Sequence, residues 1–262
     1  MKNVDNKQKE LLEKIKEFRL LDDDFMSKVF EDDYECIELL LHIIMDKPDL
    51  KVKEARTQYS IKNLIGRSVR LDVFAVDKIG KKYNIEVQRA DKGAGAKRAR
   101  YNSSVIDANS LLPGLEFDDL PETYVIFITE NDVMGGDIPI YHVDRVVKET
   151  GKSFDDEAHI IYVNGAYRDE SPIGQLMHDF SCKNPSDMHY KILADKTRYF
   201  KEDEKGVAAM CKIMEDLIDS EKKEIALRLL KNGKLSNEEI AESSGLAIEV
   251  VNALEEQRKA TV

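Results

Sequence analysis

Two carboxylates and an amide in the first half of the chain have the types and spacing for phosphate chemistry. The segments "VRLDVFAVD" (69–77) and "KYNIEVQRA" (82–90) alternate at period 2, and "KIGK" between them holds Gly80, which can take positive φ. Together they read as a β-hairpin. If residues 78–81 form the turn, Asp72 lies opposite Val87, and a one-residue change of register sets it opposite Glu86. In either register the two acidic side chains start about 5–7 Å apart. Asp72 interrupts an apolar run, and Glu86 sits between Ile85 and Val87. Carboxylates in such strands repel each other and lose hydration, so they need protons, a cation or an arginine. Mg2+ meets that need with a few oxygen ligands and retained waters. The competing reading is a wet strand face with both carboxylates exposed. Gln88 follows Glu86 on the same face. Its neutral amide can orient a water or a phosphate oxygen but cannot act as a strong base. Glu35 and Glu38 lie on a helix before the hairpin. Glu38, between Ile37 and Leu39, is preferred as a third carboxylate over the plain reading of a solvated glutamate.

The elements that must position these groups are legible around them. Residues 33–45, "DYECIELLLHIIM", have helical apolar spacing, with Asp32 or Asp33 to cap the start and Pro48 beyond the end. After the hairpin, "AGAKRARYNSSVIDANSLL" (94–112) predicts a helix ending before Pro113-Gly114. "TYVIFITE" (123–130) is apolar enough for a buried central strand, and "HIIYVNG" (159–165) predicts another. A short helix is expected near 143–150, and helices from about Ser171 onward. At 262 residues the chain suits one large domain or one with a small appendage, and its 42% hydrophobic content suffices for a packed core. The pattern predicts an α/β core with a helical C-terminal region.

Net charge is −11, which argues against a nucleic-acid partner if spread evenly. It is not: residues 51–101 hold 14 Lys/Arg and five Asp/Glu, a local +9 that leaves −20 on the rest. Such a local field steers a polyanion, although a lysine-rich solvated surface reads the same way. The longest apolar stretch, Cys36 to Met45, carries Glu38 and His42 and falls short of the ~20 residues that span a bilayer, so no membrane partner is expected. Lysines without a following apolar core in the first 20 residues, and three scattered cysteines, lead us to expect no secretory signal and a cytoplasmic location.

Weaker signals complete the sequence. His178, Cys182 and His189 match no common zinc spacing and lack a fourth ligand, so no zinc site is expected there. Gly93 and Gly95 precede a helix without Gly-Lys-Ser/Thr, which makes a flexible turn rather than a P-loop. In "LSNEEIAESSGLAIEVVNALEE", Ser236 and Glu239 form a capping box. Ile240, Ser244, Leu246, Val251 and Leu254 fall where a helix-turn-helix buries side chains. Its second helix displays Glu249, Asn252, Glu255 and Glu256, which would repel phosphates. Packing or homo-oligomer formation is its expected use.

The core "RLDVFAVDKIGKKYNIEVQRADKGAGAKRARYNSSVIDANSLLPG", followed by "YVIFITENDV", resembles the PD-(D/E)xK phosphodiesterase superfamily, and within it the recombination-promoting nuclease and transposase branch. The acidic pair maps to Asp72 and Glu86, and Gln88 stands where the superfamily pattern has lysine. Likeness extends through "PIYHVDR", "HIIYVNG", "HDFSCKNPSDMHYK" and "RYFKEDEKG". The resemblance implies a restriction-endonuclease-like core of α-β-β-β-α-β type, a mixed sheet flanked by helices. It places a nuclease-like domain at 21–170, after a helical leader at 1–20. A helical region at 171–262 follows, with a helix-turn-helix-like segment at 235–257. It implies Mg2+, or Mn2+, on Asp72, Glu86 and the Val87 carbonyl, with DNA as substrate. The helix after the hairpin would flank the site, with Arg98 on the scissile phosphate, Tyr101 beside it, and Lys97 and Arg100 on neighbouring phosphates. The expected function is metal-dependent DNA endonuclease action linked to recombination or mobile elements. The alternative is a catalytically weak DNA-binding or regulatory protein that keeps the fold, and an interaction module working through the acidic C-terminal helices is a third.

Overall fold

The computed structural model describes residues 2–63, 66–89 and 91–260. The last residue of the expected 82–90 strand, Ala90, lies outside the described residues, as do Met1, Thr261 and Val262 at the ends of the expected terminal regions. Nine helices are described: α1 (Lys2–Glu17), α2 (Asp23–Phe30), α3 (Tyr34–Met45), α4 (Ala96–Ala108), α5 (Pro172–Ser181), α6 (Lys191–Glu202), α7 (Glu204–Asn232), α8 (Asn237–Ser244) and α9 (Ile248–Ala260). The described strands are β1 (Val52–Ile61), β2 (Val69–Asp77), β3 (Lys82–Gln88), β4 (Thr123–Thr129), β5 (Ile140–Val143), β6 (Val146–Val147), β7 (Lys152–Ser153) and β8 (Ala158–Asn164). Lys16–Tyr199 form one compact unit, and Phe200–Val262 with Met1–Ile15 another.

The larger unit holds a six-stranded sheet in the order β1-β2-β3-β4-β8-β5. The first three strands run antiparallel, β3-β4 and β4-β8 pair in parallel, and β5 returns antiparallel at the edge. This mixed sheet, entered by α3 and crossed over by α4, is the restriction-endonuclease-like order α-β-β-β-α-β. A parallel centre needs both faces covered, and β4 is buried at all seven residues. On one face Phe74, Val125, Phe127 and Tyr162 meet Ala99, Val105 and Ile106 of α4. Alternation sends Val73, Ile85, Val87, Ile126 and Ile128 to the other face, where they are also buried. Helix α2 contacts β1, β2 and β3, and α3 contacts β1 and α5. Burying each such Ile or Phe stabilises by about 1.5–3 kcal/mol.

Local chemistry sets the element ends. Asp33 caps α3 by accepting from Cys36 N at 3.0 Å. Asp77 shapes the hairpin turn, accepting from Ile79 N (3.0 Å), Lys81 N (2.9 Å) and the Tyr83 hydroxyl (2.9 Å), while Gly80 sits at φ +93. Helix α4 is shorter than the expected 94–112. A 3-10 turn occupies Asp91–Ala94, and at the far end Asn109 Nδ2 and Ser110 Oγ bond back to Val105 O and Ile106 O, offering the backbone an exit from the helix. The helix expected near 143–150 is not there. β-Branched Val143, Val146 and Val147 go instead into β5 and the β6-β7 hairpin, which turns at Gly151 with φ +68. Strand β1 had no alternation to announce it, because "VKEARTQYSI" is half-exposed along most of an edge strand.

In the smaller unit Ala226 and Leu230 of α7 pack with Ile240 of α8 and Val251 of α9. Ser236 and Glu239 form a reciprocal capping box at α8. Gly245, at φ +67, opens a three-residue turn into α9. Among the described residues no helix is long and apolar enough to cross a membrane.

Candidate active site

The site grows from the point where the β2-β3 ladder stops. Paired positions sum to 158, ending at Val73 opposite Ile85, because Asp77 pairs back to Lys81 and leaves only three residues in the turn. This corrects the register that set Asp72 against Val87: one step beyond the last pair, Asp72 faces Glu86. With the ladder ended, the Asp72 carboxylate takes the strand's next donor, Val87 N–H, at 3.0 Å to Oδ2. A strand residue's N–H and C=O leave on the same side, so the Val87 carbonyl opens onto the same gap.

Both carboxylates are buried, Asp72 at 5% and Glu86 at 0% exposure, so the wet-face alternative does not hold. Burial pushes both carboxyl groups well above the usual carboxylate range. For Glu86 the Asp72 charge adds to burial; for Asp72 the Val87 hydrogen bond opposes burial and the Asp23 charge adds to it. Arg98, from the first turn of α4, favours the charged form of both. Its Nη2 donates to Glu86 Oε2 at 2.5 Å, its Nη1 to Gly93 O at 3.0 Å, and its guanidinium lies 5.7 Å from the Phe127 ring centroid. Glu86 Oε1 is buried with no hydrogen-bond partner.

Around this pair opens a cleft of about 1190 Å3, lined by Asp72, Gln88, Lys97, Arg98, Arg100 and Tyr101 together with Asp23, Gly66–Arg70, Gly93 and Asn102. Lys97 and Arg100 are exposed, and the first turn of α4 has no acidic residue. Cations at a helix N-terminus are locally unfavourable and make a strongly electropositive patch. Gln88 lies so close to Gly93 that a Cβ there would meet its Oε1 at 1.8 Å. The Tyr101 hydroxyl is engaged elsewhere, donating to Arg67 O and accepting from Asn63 Nδ2 at 3.3 Å, and so ties the loop before β2 to α4.

Glu38 is not brought to this cleft. Its carboxylate accepts from Val52 N (2.9 Å) and Lys51 Nζ (2.8 Å) where β1 begins, and Val52 pairs with Asp77. Five residues of strand, on the order of 17 Å, separate that end of β2 from Asp72. A further acidic neighbour of Asp72, beside Glu86, is Asp23, at the start of α2. The preceding residue, Asp22, is held by Arg89 Nη1 on its Oδ1 (2.8 Å) and by Arg19 N on its Oδ2 (2.7 Å). Among the lining residues that the sequence did not single out are Asp23, Arg67 and Arg70, and Gly93 was expected only to make a flexible turn. The arginines were already inside the +9 segment, whereas Asp23 lies in an acidic run with no periodicity to single it out.

A family model described as PD-(D/E)XK nuclease family transposase matches residues 24–166, more than half the chain. The chain belongs to that family. The matched segment contains the whole hairpin, α4 and the central strands, and it gives the protein a nuclease- or transposase-related role. Neither a curated protein nor a solved structure matches the chain.

Proposed function

We propose that this PD-(D/E)XK family protein is a divalent-metal-dependent DNA endonuclease, acting in recombination or on mobile elements. The observation that carries the proposal is the buried Asp72-Glu86 pair with the Glu86 Oε1 atom unpartnered. Two desolvated carboxylates with a free oxygen, beside a backbone carbonyl, form an all-oxygen donor set that suits Mg2+, with Mn2+ able to replace it. Asp72, Glu86 and the Val87 carbonyl would hold the ion, which when bound would supply a more acidic water and neutralise phosphate charge.

The remaining work falls to side chains of the cleft. Gln88 orients the water that attacks phosphorus as the 3′-oxygen departs. Arg98 exchanges its bond to Glu86 for a nonbridging phosphate oxygen and stabilises the charge that accumulates there. Lys97 and Arg100 bind flanking phosphates, and Tyr101 positions the Arg67 loop. A DNA-binding protein without turnover is the second reading, favoured by the neutral amide at position 88. Plasmid cleavage with Mg2+, Mn2+ or Ca2+, comparing the protein with Asp72→Ala, separates the two. Nicked or linear product that depends on Mg2+ or Mn2+ and disappears in Asp72→Ala is expected. DNA binding without cleavage under every metal would leave only the second reading.

A further inference from the structure

Two residues before Glu86 on β3, Asn84 points to the same face of the sheet and is 0% exposed. Its ladder partners are Phe74 on β2 and Val125 on β4, both members of the apolar core beneath α4. An amide in that setting loses its water, and neither its Nδ2 nor its Oδ1 has a hydrogen-bond partner. Glu86 Oε1, next along the same face, has none either. Three unpartnered polar atoms are thus carried by residues whose Cα atoms lie about 6.6 Å apart along the strand. Burial and the Asp72 charge favour a protonated Glu86, whereas Arg98 and the Asn84 amide both favour the carboxylate. The amide nevertheless stops short of hydrogen-bond geometry with Oε1. Buried polar groups left unpaired cost stability, and an apolar side chain of similar shape does not carry that cost. Packing alone therefore gives no reason for an amide at position 84.

We propose that Asn84 is a positioning residue for Glu86: its Nδ2 donates to the Glu86 carboxylate when that group binds a divalent cation, and holds it in the orientation the cation requires. The inference rests on the metal-dependent reading proposed above. Arg98 holds Glu86 through Oε2 and is the group that a phosphate draws away. Once it leaves, Glu86 needs another donor to keep its place, and Asn84 is the buried donor beside it on the same face. An amide carries no charge, so it steadies the carboxylate without competing with a cation as a guanidinium does. Carboxylates that bind metal ions are themselves held by such outer hydrogen bonds, and losing one costs about 10–100-fold in metal affinity.

The test measures Mn2+ binding to the full chain by calorimetry, with Asp72→Asn to identify the binding that belongs to the cleft, and urea denaturation in chelator. Asn84→Val and Asn84→Leu remove the amide, while Asn84→Thr shares the shape of Asn84→Val and keeps a donor. The two apolar variants should have urea midpoints at least as high as that of the natural chain, yet bind Mn2+ with Kd raised about 10–100-fold. Asn84→Thr should recover part of the affinity. A purely structural residue would not move stability and metal affinity in opposite directions. Unchanged Kd in both apolar variants overturns the role of Asn84, as does a loss of affinity that appears only where the urea midpoint also falls. Asn84→Thr binding no better than Asn84→Val overturns it too. Mn2+ binding that is absent from the natural chain, or that survives Asp72→Asn, instead overturns the metal-dependent reading itself, and this inference with it.

Discussion

At the scale of single residues, Asp72 and Glu86 are uncomfortable in the absence of a cation, and that discomfort is measurable. Burial raises both carboxyl groups above their unfolded values, with the mutual charge adding for Glu86. A folded state that binds protons more tightly than the unfolded one loses stability as pH rises from the unfolded carboxylate range through the raised folded values, and the loss is complete above them. In chelator, Asp72→Asn should therefore be more stable than the natural chain at pH 8, by on the order of 1–3 kcal/mol, and the gap should close towards pH 4. Urea denaturation at a series of pH values reads this directly; a gap independent of pH would mean the carboxyls are not raised. Under the proposed function, Mg2+ should narrow or reverse that gap, adding about 2.7 kcal/mol at a hundredfold excess over its Kd to the natural chain and little to the variant. Gln88 gives a second residue-scale outcome. Gln88→Ala should cut turnover strongly with DNA affinity nearly unchanged. Gly93→Ala should do much the same, because its Cβ needs the space held by Gln88 Oε1. The double variant should be no worse than Gln88→Ala alone, and additive losses would show that Gly93 acts through something other than Gln88.

Elements explain which of these residues could be read in advance. The hairpin, the β4 and β8 strands and α3 follow from periodicity that burial enforces, and their bounds came through nearly intact. The register did not, because it turns on the Asp77 side chain drawing in Lys81 N, a local bond that alternation cannot signal. Glu38 escapes a sequence reading for a related reason. Apolar neighbours on a helix mark a buried side, but not which end of the sheet that side meets. Arg98, Gln88 and Tyr101 stand on the expected elements and line the cleft, and the Tyr101 hydroxyl in addition holds a loop. Tyr101→Phe should accordingly cost about 1 kcal/mol of stability and raise KM for DNA by loosening the Arg67 segment, with kcat largely kept. A fall in kcat with unchanged KM would return the hydroxyl to the chemistry.

On the scale of the whole molecule, the charge division separates two candidate DNA surfaces. The +9 segment supplies the cleft's Arg67, Arg70, Lys97, Arg98 and Arg100. The helix-turn-helix-shaped α8-α9 pair offers Glu249 and Glu256 on its second helix. There Asn252 and Glu255 are already engaged by Asn237 Nδ2, each at 2.8 Å. Phosphate binding releases counterions, so each lost contact flattens the dependence of log K on log salt by about 0.9 on duplex DNA. Replacing Lys97, Arg98 and Arg100 together with neutral residues should flatten that slope by up to about 2.7. Glu249→Gln with Glu256→Gln should leave both slope and affinity almost where they were, since no phosphate is near enough for the removed repulsion to matter. Fluorescence anisotropy of a labelled duplex between about 50 and 200 mM salt distinguishes them. If the glutamine pair tightens binding steeply while the triple substitution leaves the slope alone, α9 lies against the DNA and the basic cleft does not.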